Sequence, residues 1–92
     1  MNDNEPRVTL ITGRVRRRKG EPAQDVHLML VAADEDSAVR VALDALTREG
    51  YSQAELDQIG ELSDAPDEEP HASAYQGALE GEVSIVTLKP SR

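Results

Sequence analysis

Residues 25–50, DVHLMLVAADEDSAVRVALDALTREG, read as a strand feeding a helix, and the remaining segments are read as partners packed against that pair. Val26 to Val31 is a run of six with His27 as its single polar member, long enough for a strand and too short for a helix. A half-exposed strand alternates apolar with polar residues, so this run predicts burial on both faces. Asp34-Glu35-Asp36-Ser37 then supplies short side-chain oxygens for the unpaired amides of a helix start and carboxylates for its positive end. Val39, Ala42, Leu43 and Leu46 follow at helical spacing. Asp36 with Arg40 and Asp44 with Arg48 form i,i+4 pairs on the opposite face, each contributing roughly 0.2–0.5 kcal/mol. Gly50 stops the helix, because glycine adopts the left-handed conformation of a C-terminal cap.

Upstream, VTLITGRV from Val8 is rich in β-branched residues and alternates, which predicts a strand. Gly13, Gly20 and Glu21-Pro22 punctuate the connection to the next strand, so residues 7–31 are expected to form a hairpin with a basic turn. Downstream, Ser52-Gln53-Ala54-Glu55 has capping-box spacing that suits a short helix over 52–62, and the reading preferred over it is a turn at 51–54. Leu56, Ile59 and Leu62 suit a bulged strand over about 55–63, since Gly60 costs a helix interior about 1 kcal/mol. SDAPDEEP at 63–70 reads as an acidic loop. Ala72, Tyr75, Ala78 and Leu79 predict a second helix, and EVSIVTL at 82–88 a last strand that Pro90 ends.

The order strand-strand-helix-strand-helix-strand predicts an α+β two-layer sandwich. Its four-stranded, mostly antiparallel sheet is expected to carry both helices on one face, as a variant of the ferredoxin-like arrangement. That likeness is one of architecture and implies no function. A single domain is expected over 1–92, with tails at 1–6 and 90–92 and a folded core at 7–89.

Ninety-two residues support a modest core, and with no Phe, Trp or Cys it must be built from Leu, Val, Ile and Ala. The absence of cysteine excludes disulfides and thiolate catalysis. No segment has the length and apolarity of a signal peptide core or a membrane span, so a cytoplasmic location without membrane contact is expected. Net charge is −8, which argues against general nucleic-acid binding. The charge is nevertheless polarised: residues 1–24 hold six basic and three acidic side chains, whereas residues 25–92 hold four basic and fifteen acidic ones.

Three features are candidates for function. The basic tract Arg14, Arg16, Arg17, Arg18 and Lys19 offers guanidinium forks suited to phosphate. No aromatic side chain flanks it to stack a base, and the acidic remainder repels a polyanion. His27 and His71 are the only imidazoles; a metal site of His71, Asp67 and Glu69 has suitable ligand types without a known spacing, and no metal or cofactor is expected. Three strands carry apolar residues on both parities, yet two short helices on one face leave the other bare. A second copy of the chain is therefore expected to cover it, with Ile11, Met29 and Val86 as the candidate self-association face. With no nucleophile-base motif, phosphate-cradling glycine loop or H-E-x-x-H, no catalytic residue is nominated. The expectation is a small non-enzymatic interaction or regulatory module that self-associates as a homodimer. Phosphate or nucleic-acid recognition through 14–19 is the alternative.

Overall fold

In the computed structural model, which describes residues 7–88, the two β-branched runs pair as a hairpin of β1 (Thr9–Arg16) and β2 (Gln24–Leu30). The chain continues through α1 (Glu35–Arg48), β3 (Gln53–Glu61), α2 (His71–Leu79) and β4 (Ser84–Leu88). The strands form one sheet in the order β3-β1-β2-β4, and every neighbouring pair is antiparallel. The α+β class and the predicted succession of strands and helices are thus present. The ferredoxin-like arrangement, β-α-β-β-α-β along the chain, differs from this ββαβαβ order.

Local signals set both ends of α1. Asp34 is extended, and its Oδ1 accepts from the Ser37 amide at 2.8 Å, the N-cap bond that the DEDS cluster predicted. At the other end Gly50 takes φ +95°. Its amide donates to the Thr47 carbonyl and the Tyr51 amide to the Leu46 carbonyl, which closes a Schellman motif. The Ser37 bonds and the Arg40 charge hold the Asp34 carboxyl below its ordinary range. A carboxylate whose folded pKa is depressed stabilises the fold above its ordinary pKa, and that contribution is lost as pH falls through the folded value. Asp34→Ala is therefore expected to lower the melting temperature at neutral pH, with the difference from the parent chain vanishing in strong acid. Thermal melts followed by circular dichroism at a series of pH values check this.

Of the two expected i,i+4 pairs on α1, Asp44–Arg48 forms at 3.1 Å, while Asp36–Arg40 is absent from the ion pairs among the described residues. The buried stripe of α1 is Ala38, Ala42 and Leu46, and Leu43 is 41% exposed. The face turned to the sheet is thus the Ala38-Ala42-Leu46 stripe rather than the expected one containing Val39 and Leu43.

β3 shows why Leu56 and Ile59, three residues apart, both point inward. Gly13 pairs with Leu56 and Thr12 with Gln58, so Asp57 is an extra residue in β3 and makes a bulge. The bulge resets the alternation, and both apolar side chains reach the same core. Gly13 is what the bulge requires: a Cβ there would overlap the Glu55 carbonyl oxygen and come within 2.9 Å of Leu56 Cα.

The helices do not share a face, which corrects the expected layering. Ile11, Val15, Val26, Leu28 and Leu30 form one core with Ala38, Ala42 and Leu46 of α1. Val8, Met29 and Val86 form another with Ala74 and Ala78 of α2. Leu28 and Met29 are consecutive in β2 and point to opposite sides, so α1 and α2 cover opposite faces. The double-sided apolarity of the strands is thereby satisfied within one chain. α2 is short and lightly anchored: Pro70 offers no side-chain cap bond, and only Ala74 and Ala78 are buried. Its apolar face also differs from the expected one, with Leu79 38% exposed. No helix among the described residues is long and apolar enough to cross a membrane.

Candidate functional site

The basic tract occupies the end of β1 and the hairpin turn, beside the C-terminus of α1. Much of it is committed to the fold. Arg17 Nη1 donates to the Glu49 carbonyl at 2.7 Å, and its guanidinium lies 4.4 Å from the centre of the Tyr51 ring. A cation on the last carbonyls of a helix and over an aromatic face is favourable on both counts. Arg16 donates through Nε to the Glu21 carbonyl at 2.9 Å and through Nη1 to Gln53 Oε1 at 3.4 Å. Arg14 lies 3.9 Å from the Asp25 carboxylate across the hairpin. The side chains of Arg18 and Lys19 are exposed and enter no hydrogen bond or ion pair among the described residues. The tract therefore pins the hairpin to α1 and leaves two cations outside those contacts.

The candidate self-association face is not a surface. Ile11 is 0% exposed beneath α1, while Met29 at 1% and Val86 at 8% lie beneath α2. Ile11 and Met29 even belong to different cores. The expectation counted apolar residues on both parities correctly and supplied a second copy where the second helix serves.

The structure joins two residues that sequence reasoning had kept apart. His27 Nδ1 lies 2.8 Å from His71 Nε2, with the rings edge to face at 5.0 Å between centres. β2 places His27 on the α2 side, and the first turn of α2 carries His71 over it. Both are half-buried. Burial pushes the His27 pKa below its ordinary value, the neighbouring His71 lowers it further, and Asp25 acts the other way. No sequence signal links side chains 44 positions apart; His27 interrupting an apolar strand was the one visible oddity.

The metal grouping of His71, Asp67 and Glu69 is not assembled. His71 engages His27, and Glu69 Oε1 accepts from the Ser73 amide at 3.1 Å. Among the described residues no three His, Asp or Glu side chains are grouped to hold a metal ion. The depressions beside Arg14, Arg16, Gln53 and Glu55 and beside Leu10, Thr12, Gln58 and Leu62 are open to solvent.

The two sheet edges differ in kind. β3 is bulged and carries Glu55, Asp57 and Glu61. β4, SIVTL, has no charged residue and is β-branched at Ile85, Val86 and Thr87. Among the described residues it pairs with β2 alone, and it borders a groove lined by Glu49, Tyr51, Val83, Ile85 and Thr87. Charges, bulges and brevity are the usual protections of an edge, and β4 has only brevity. Compared with known proteins, the chain matches no family model, no curated protein and no solved structure.

Proposed function

We propose that this chain is a small non-enzymatic interaction module that pairs with a second copy of itself by continuing its sheet across β4. The observation that carries the reading is the uncharged, β-branched outer edge of SIVTL set against the acidic, bulged edge of β3. Such an edge offers backbone donors and acceptors to an incoming strand with no like-charge penalty. A second copy suits it better than an arbitrary peptide because antiparallel β4 strands related by a two-fold axis are self-complementary.

Size-exclusion chromatography with light scattering over a range of concentrations tests this. The expected mass is twice that of one chain at high concentration, and Thr87→Lys is expected to return it to that of one chain. Thr87 is exposed, so the substitution leaves both cores intact. A single-chain mass for the parent protein at every concentration removes the proposal. Phosphate recognition through 14–19 has less support, since Arg14, Arg16 and Arg17 already serve internal contacts.

A further inference from the structure

We propose that the His27–His71 contact is an acid-sensitive latch that holds α2 on the sheet, and that protonation of both rings releases the helix from the core it covers. The argument begins with donors and acceptors. A hydrogen bond between Nδ1 of one imidazole and Nε2 of another needs one nitrogen with a proton and one without. Two neutral rings satisfy this, and so does a pair carrying one extra proton. With two extra protons both facing nitrogens bear hydrogen, the bond is lost, and two positive charges stand at the 2.8 Å separation. The latch therefore fails when the second imidazole takes its proton.

Among the described residues, nothing around the pair offsets that charge fully. Asp25, two residues along β2 on the same side, is the nearest carboxylate acting on His27, and it is shared with Arg14 of β1 at 3.9 Å. The register partners of His27 are Thr12 on β1 and Val86 on β4, neither of them charged. Ahead of α2, Glu69 accepts the Ser73 amide at its carboxylate and Glu68 accepts the Ala72 amide at its backbone carbonyl, and neither carboxylate is among the charges that act on His27. Burial and the second imidazole outweigh Asp25 in depressing the His27 pKa. For a group with a depressed folded pKa, stability is complete above the unfolded value and falls as pH drops toward the folded one. Acidification below the ordinary histidine range thus weakens α2 specifically.

α2 is built to respond. It spans nine residues, contains Gly77, has no side-chain cap on Pro70, and buries only Ala74 and Ala78. Its displacement uncovers Val8, Met29 and Val86, while the core beneath α1 is a separate cluster.

Amide hydrogen exchange of α2, corrected for the intrinsic pH dependence of exchange, tests the latch on the full chain. Between about pH 7.5 and about pH 5, above the ordinary carboxylate range, α2 protection is expected to fall roughly tenfold or more while α1 protection holds. In His71→Gln the amide still donates or accepts toward His27 and takes no proton, so the fall is expected to disappear. His27→Gln provides the same readout should the first variant fail to fold. α2 protection that is flat with pH in the parent chain overturns the latch, as does an undiminished fall in the folded glutamine variant.

Discussion

Gly13→Ala is expected to lower stability by roughly 2–3 kcal/mol and the melting temperature by roughly 10–20 °C. The cost arises because the new methyl group meets backbone, the Glu55 carbonyl oxygen and Leu56 Cα, rather than a side chain with freedom to turn away. β3 must then move off β1 or straighten its bulge. Straightening returns either Leu56 or Ile59 to the solvent side, since their shared orientation depends on the extra residue Asp57. Gly60→Ala is the internal control. Gly60 lies in the same strand with open space where a Cβ would stand and with no positive φ, so its replacement is expected to be neutral or slightly stabilising. Melts of the two variants side by side decide the matter: equal effects would show that the close approach at Gly13 is unimportant.

The second large effect is expected from Leu28→Ala and Met29→Ala, each costing about 2–5 kcal/mol. Leu28 is 0% and Met29 1% exposed, in cores on opposite sides of the sheet. A domain of this kind holds roughly 5–15 kcal/mol in total, so either change leaves a marginal fold. Met29 is the informative member. Buried under α2, it is expected to lower the urea midpoint equally at low and high protein concentration. A Met29→Ala chain that keeps its midpoint and loses only its association would place that side chain between copies instead.

Sequence legibility followed the range of the interactions. The ends of α1 could be read because Asp34 with Ser37 and Gly50 with Thr47 act within a few residues. β3 could be read because Leu56 and Ile59 fit a strand only if it is bulged, although the strand begins two residues earlier than expected. The side on which α2 packs was not legible. That choice depends on the course of the connection at 62–70, whose polar residues carry no pattern favouring one face. The commitments of the basic tract were hidden for another reason: Arg16 and Arg17 donate to the Glu21 and Glu49 carbonyls, and backbone acceptors leave no mark in a residue string. The histidine pair combined both obstacles, being distant along the chain and dependent on the packing of α2.

The bulge in β3 has a consequence for assembly size. Strand-by-strand addition propagates into a filament only when both borders of a sheet welcome a newcomer. In the pairing proposed above, the kinked, carboxylate-bearing border of β3 would disfavour a newcomer and β4 would be the single receptive side. Joining two chains there consumes both receptive sides, so growth by this route halts at a pair.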